Sequence, residues 1–493
     1  VLAHGVVLLA GCGSLSPRPE LPADTLQTSW QHETASNQPP PATDDAAANI
    51  DRNWWRSFDD AILNKLIDQA LQRNLDLRLA SARVLEANAL RKSSDAQLWP
   101  RFDAALDISR ARTLPRDDSQ SSSVSTTAQA GINASWEADI SGRLHHAATA
   151  AEAGAQALEA DRDAVRLAVL AEVARNYIEY RQYVAQYVLA RKNVDAQQST
   201  IHITQARFRE GMASRLDLER AQTLFFTTQA TVPQALELME TSRARLALLL
   251  ADSPELLEKI LPRVADKKAL ANTGNINDAD SDATLKEIPD ADASHVLLTP
   301  AQVLAQRADV RAAERRLAAA AAQLQATGAL RYPTLNLAGV IGVASNDVGD
   351  LFRSNDTRVW SISGGLLAPL FDFGLIRSQI DAADARQQQA YLSYEQTVRA
   401  ALSDTQTAIV FYAQGVQRQH SLHDAVTSAR KAAELAQRNY AAGTLSLLDV
   451  LVAERSLYDS ELTWSQATAD VSLRLVALWQ AMGVVPDEAV DAP

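Results

Sequence analysis

The chain has 493 residues, 47% of them apolar and 22% charged, which suits a folded protein and excludes a disordered or collagen-like one. A net charge of −13 leaves no basic surface to neutralise phosphates and argues against nucleic acid as a partner. The single cysteine, Cys12, excludes an internal disulfide framework and any cysteine-based zinc site. No apolar run approaches the ~18 residues a spanning helix needs, so any crossing of a bilayer is made by strands.

Residues 1–12 are apolar up to Leu9-Ala10-Gly11-Cys12, and the chain then turns polar and proline-rich at Pro17, Pro19 and Pro22. An apolar stretch ending in small residues is the tail of a secretory signal. Its end resembles a bacterial lipobox, with Cys12 acylated as the mature first residue, although no basic segment precedes it. Gly13 follows, not the aspartate that commonly retains lipoproteins in the inner membrane. Acyl chains anchor a protein at a bilayer surface and form no pore.

The rest is a tandem duplication. Asp76-Leu-Arg78 through Trp99-Pro100-Arg-Phe102 aligns with Asp309-Val-Arg311 through Tyr332-Pro333-Thr-Leu335 at an offset of 233. Phe208-x-x-Gly211-x-x-Ser214-x-Leu216-Asp217 aligns with Tyr440-x-x-Gly443-x-x-Ser446-x-Leu448-Asp449 at an offset of 232. The divisions are a leader over 1–12, a linker over 13–53, repeat 1 over 54–251, an acidic insert over 252–298, repeat 2 over 299–485 and a tail over 486–493.

Strands come first in each repeat. Ala128, Ala130, Ile132, Ala134, Trp136 and Ala138 alternate with Gln129, Gly131, Asn133, Ser135, Glu137 and Asp139. A period of two with one apolar and one wet face marks a half-buried or lipid-facing strand. Phe102, Ala104, Leu106 and Ile108 repeat the pattern, predicting strands over 102–114 and 126–140. In repeat 2 the strands are predicted over 334–344 and 358–371. The segment 334–344 alternates poorly and rests on its counterpart in repeat 1.

After Gly142 and Gly374 the period becomes helical. Leu158, Val165, Val169, Val173, Tyr177, Tyr180, Val184 and Val188 form a coiled-coil-like seam. Helices are predicted over 142–208, 214–250, 374–440 and 446–482, the longest about 100 Å at ~1.5 Å per residue. Pro233 should kink the second of them.

Two hairpins give four strands, too few to close a barrel. Eight strands would be filled by side chains, and a water-filled pore needs about twelve, hence three or more chains. Trp99, Phe102, Trp136, Tyr332, Phe371 and Phe373 fall where strands meet helices, the place of a membrane-interface aromatic belt.

The lipobox, the duplication, the strand hairpins and the paired Tyr/Phe-x-x-Gly-x-x-Ser-x-Leu-Asp turns together resemble the TolC-like outer-membrane efflux channels. The match is to the lipoprotein branch serving resistance-nodulation-division (RND) pumps, from Cys12 to about Val485. The resemblance implies a mainly α fold with β: a homotrimer with a twelve-stranded β-barrel in the outer membrane, continued by a long α-helical periplasmic barrel. It also implies an equatorial belt built from the linker, the insert and the tail. Its partners would be outer-membrane lipid, a periplasmic membrane-fusion adaptor and an inner-membrane RND transporter. No cofactor is implied beyond the lipid on Cys12. A type I secretion duct and a pore-less periplasmic scaffold lipoprotein are the alternatives.

The turns at the helix tips carry two readings. Gly211 and Gly443 can end one helix, and Ser214 and Ser446 can cap the next with Asp217 and Asp449 three residues on. In related channels the second-repeat tip faces the lumen, so three copies of Asp449 would form an acidic periplasmic gate, with Asp217 secondary. The family's second tip acid is missing here, because Val452 follows Asp449. Arg215 and Tyr440 are candidates for a latch between neighbouring tips.

No nucleophile, phosphate or zinc motif is present, so the chain reads as a non-enzyme. His420 and His423 lack a third ligand. Asp278-x-Asp280-x-Asp282 has Ala283 and Pro289 where a calcium loop needs Gly and Glu.

Overall fold

A computed structural model describes residue 30 and residues 52–113, 123–253, 257–258, 260–261, 288–291, 298–353 and 357–485. Cys12, most of the linker, most of the 252–298 insert, the tail and the acidic triplet from Asp278 lie outside the described residues.

Each repeat opens with paired helices. A short 3-10 turn, Trp54–Phe58, leads into α1 (Ala61–Arg73) and α2 (Leu75–Ala96). Asp60 caps α1 by accepting from the amides of Ile62 and Leu63, and its other oxygen takes the Tyr177 hydroxyl at 2.7 Å. Leu63, Leu66, Ile67 and Ala70 are fully buried along one face of α1. In repeat 2 the counterparts are α5 (Pro300–Gln306) and α6 (Ala308–Gly328).

Strands β1 (Arg101–Thr113), β2 (Ser123–Ala138), β3 (Thr334–Ser345) and β4 (Arg358–Leu367) follow. All four join one antiparallel sheet in the order β1-β2-β3-β4, so the two hairpins are neighbours and β1 and β4 are its edges. Registers of Ala104 with Ile132, Ile132 with Ile341 and Ile341 with Trp360 place these residues in one row on one face. Phe102, Leu106, Ile108, Trp136, Leu337, Ile362 and Leu366 lie on that same face, and all are exposed within the chain. The opposite face carries Asp103, Asp107, Gln129, Asn133, Asn336, Ser361 and Ser363. In β3 it also carries Ala338, Val340 and Ala344, which is why that strand alternates poorly.

At the β2–β3 seam Gly131 stands opposite Gly342. A Cβ on Gly131 would lie 2.8 Å from the Ile341 carbonyl oxygen, and one on Gly342 would collide with the Ala130 carbonyl. The seam between the repeats therefore needs two bare backbones.

β1 and β3 lie within a residue of the sequence expectation, β2 begins three residues early at Ser123, and two strands stop short of it. The strand placed at 126–140 ends at Ala138, where the Ile140 amide turns back to the Ala138 carbonyl and Asp139 leaves to cap a helix. The strand placed at 358–371 ends at Leu367, because Pro369 cannot donate to a ladder.

Beyond the strands lie α3 (Arg143–Arg209), α4 (Arg215–Leu249), α7 (Leu375–Ala441) and α8 (Leu447–Met482). α3 and α7 have 67 residues each. Along α3, Val169, Val173, Tyr177, Tyr180 and Val184 are buried, whereas Leu158, Val165 and Val188 are half-buried. Ala153, Ala157, Leu170, Ala174 and Ile178 widen the buried stripe beyond a single seam. Pro233 sits inside α4, which runs on through it with one backbone donor fewer.

By its contacts the chain divides into two units. One contains 82–159 and 312–396, with the whole sheet and the first parts of α3 and α7. The other contains 160–311 and 397–493, with the remainder of those helices, α4 and α8.

Candidate functional site

The two turns that join α3 to α4 and α7 to α8 are built alike. Gly211 and Gly443 each take φ 78°, the left-handed geometry that ends a helix without a Cβ penalty. The Met212 amide reaches back to the Arg207 carbonyl at 2.8 Å, and the Thr444 amide to Asn439 at 3.0 Å, satisfying carbonyls that the helix ends leave open.

Ser214 and Ser446 then form complete capping boxes with Asp217 and Asp449. The Ser214 hydroxyl donates to Asp217 Oδ2 at 2.7 Å, and the Ser446 hydroxyl to Asp449 Oδ2 at 2.5 Å. Both aspartates thus serve as caps through Oδ2. They differ in surroundings, since Asp217 is half-buried and Asp449 is exposed.

The two tips meet. Ala221 of α4 packs with Leu447 and Leu451 of α8, and Ile201, Leu224 and Tyr440 close the cluster. The Arg207 guanidinium lies 4.3 Å from the centre of the Tyr440 ring. Of the two latch candidates, Tyr440 receives Arg207, and Arg215 turns along its own helix to Glu219 at 3.0 Å, the short reach of an i,i+4 pair. Arg207 was missed in the sequence, although it directly precedes Phe208, the repeat-1 counterpart of Tyr440.

Three polar ties stand behind the tips. Thr231 and Tyr458 share a hydrogen bond of 3.1 Å between α4 and α8. Gln437 donates to Glu454 at 2.9 Å, and Arg430 pairs with the buried Glu461 at 3.2 Å, both between α7 and α8. Burial raises the Glu454 pKa above the ordinary glutamate range, with the Gln437 bond opposing it. A groove of about 650 Å³ between α4 and α8 is lined by Glu219, Arg220, Thr227, Thr231, Arg455 and Asp459.

At the other end of α3 and α7, Asp139 accepts from the amides of Leu144 and His145, and Asp372 from those of Gly374 and Ile376. The six aromatic residues of these joints are all exposed, from 37% for Trp136 to 101% for Phe373. Trp136 keeps its indole N–H satisfied on the Leu98 carbonyl at 3.0 Å. His423 packs against the Trp464 ring, and no group of three metal-ligating side chains occurs among the described residues.

An exposed apolar sheet face, continued into two 67-residue helices with matched tip turns and built twice, is a specific arrangement. The family model for outer membrane efflux protein matches residues 66–252 and 299–484. The chain belongs to the outer membrane efflux protein family. The pyoverdine export outer membrane protein OpmQ of Pseudomonas putida is 30% identical to it over 475 residues, covering 95% of this chain and 94% of that one. The probable outer membrane lipoprotein SilC of Salmonella typhimurium is 26% identical over 481 residues, covering 97% and 96%. Among solved structures, the outer-membrane channel OprN superposes with a TM-score of 0.80 at 27% identity, over 95% of this efflux-family chain and 98% of that one.

Proposed function

We propose that the protein is the outer-membrane channel of a tripartite RND-type efflux system, a passive exit duct for small molecules gated at its periplasmic helix tips. The observation that carries this is the sheet. It exposes one apolar face from Phe102 to Leu366, sets Asp103, Asp107, Gln129, Asn133, Asn336, Ser361 and Ser363 on the other, and ends in the edges β1 and β4, unpaired among the described residues. Open edges cannot stand in hydrocarbon, so copies must join edge to edge into a closed barrel. Three copies supply the twelve strands of a water-filled lumen, with the polar faces inward. The protein is then a homotrimer, and its catalysis is none: a duct lowers no chemical barrier, and cargo selection falls to the adaptor and inner-membrane transporter.

The relatives named for export and for an outer-membrane lipoprotein support the same reading, including a lipid on Cys12. At the tips, Asp449 keeps one carboxylate oxygen outside the capping box and is exposed, so three copies about an axis would place three charges at one opening. The test is to measure the subunit count of the detergent-purified protein by mass and its conductance in planar bilayers. A trimer that conducts supports the duct. A monomer without conductance overturns it in favour of a scaffold lipoprotein.

A further inference from the structure

The joint between β4 and α7 differs from its repeat-1 counterpart. A cleft of about 460 Å³ there is lined by Arg331, Arg377, Asp372 and Asp381, with Leu370 and Phe371 as its apolar shelf. Asp372 is occupied by two backbone amides of the α7 start. Arg331 and Arg377 are exposed and have no ion-pair partner among the described residues. At the repeat offset, their counterparts in repeat 1 are Leu98 and His145.

Beside the cleft, Leu370, Phe371 and Phe373 are 89%, 93% and 101% exposed. Phe373 also holds φ 53°, a left-handed geometry that disfavours a bulky residue. No packing among the described residues covers these three side chains, whereas acyl chains beside a barrel rim would cover them. Two unpaired guanidiniums are the chemistry that binds a phosphate, and Asp381 adds one carboxylate for a cation.

We propose that this cleft binds one phospholipid of the periplasmic leaflet whose headgroup carries a phosphate and a primary ammonium, a phosphatidylethanolamine. Arg331 and Arg377 hold the phosphate, Asp381 takes the ammonium, and the acyl chains lie on Leu370, Phe371 and Phe373. A homotrimer carries three such sites, all on repeat 2. The inference rests on the outer-membrane channel reading.

The test is native mass spectrometry of the detergent-purified protein with phosphatidylethanolamine, phosphatidylglycerol or phosphatidylcholine of matched chains. Parallel samples receive free phosphoethanolamine or inorganic phosphate, and bilayer conductance is recorded for every variant. The expected result is retention of phosphatidylethanolamine over the other two lipids. The Arg331→Gln/Arg377→Gln variant should lose it about tenfold or more, since both charge-assisted donors to the phosphate are removed. Asp381→Asn should abolish the preference over phosphatidylglycerol. Retention equal for all three lipids, or binding of inorganic phosphate as tight as that of the lipid, overturns the site while intact conductance preserves the channel. Loss of the oligomer in the double-arginine variant also overturns it, because the arginines would then serve a second copy. A wild-type protein that does not conduct overturns the channel reading itself.

Discussion

Arg207, in the last turn of α3, stacks its guanidinium on the ring of Tyr440, in the last turn of α7, at 4.3 Å. The contact joins the end of one long helix in repeat 1 to the equivalent end in repeat 2, just before the glycines that reverse the chain. It holds the two tips to each other through a charge and a ring that neither capping box uses. Such a contact contributes about 0.5–1 kcal/mol at an exposed site.

If it restrains the tips, Arg207→Gln and Tyr440→Leu should each raise the open probability of single channels in planar bilayers. The double variant should open no more than either alone, since both changes remove one interaction. Additive effects would assign the two residues to separate roles.

Asp449 both caps α8 and is proposed to gate, and the two roles separate by charge. Asp449→Asn retains an acceptor oxygen for the Ser446 amide and hydroxyl while losing the charge. It should leave the thermal unfolding temperature within a few degrees and weaken block by divalent cations. The half-buried Asp217 should change block much less on the same substitution. Equal, small effects at both positions would leave capping as their whole function.

Glu454 gives the tips a pH dependence of known sign. Its carboxyl is raised above the ordinary value of 4.5 by burial, so the folded state holds its proton more readily than the unfolded chain does. The associated stability is full below that ordinary value and is lost as pH rises through the folded pKa. Hydrogen exchange of the α7 and α8 amides near Gln437 should therefore be slower at low pH than at neutral pH, after correction for intrinsic rates. Glu454→Gln should flatten that difference, and an unchanged profile would place the effect elsewhere.

The Gly131–Gly342 seam is intolerant of a methyl group. Gly342→Ala should destabilise the sheet by roughly 1–3 kcal/mol and lower the fraction of detergent-purified protein recovered as oligomer. Gly365→Ala on β4 is the control, since a Cβ there meets nothing within 4 Å. Equal losses in both variants would mean that any added side chain, rather than the seam, is responsible.

How much of this was legible depended on whether a feature is local. The change from a period of two to a helical period at Gly142 and Gly374 placed α3 and α7 within a residue of their observed starts. The capping boxes were readable because Ser214 and Asp217 are only three apart. The adjacency of β2 and β3 was not, because Ala138 and Leu335 pair across nearly two hundred residues of intervening chain. Nor was the Arg207 contact, since a cation four residues before a helix-ending glycine resembles any solvated one until the partner helix is in place. Arg215 was legible as a cation at the turn, and its bond to Glu219 one helical turn on follows from i,i+4 spacing.

The two edges of the sheet also bear on how the protein reaches its membrane. Each chain ends its sheet in rows of amides and carbonyls on β1 and β4, and hydrocarbon supplies no water to satisfy them. A lone subunit therefore cannot cross into the bilayer and wait there for companions. Its strands must remain in water, or in the hands of an escort, until enough copies have gathered. Membrane entry and the counting of subunits are then a single event, and a chain made in deficit stays on the aqueous side.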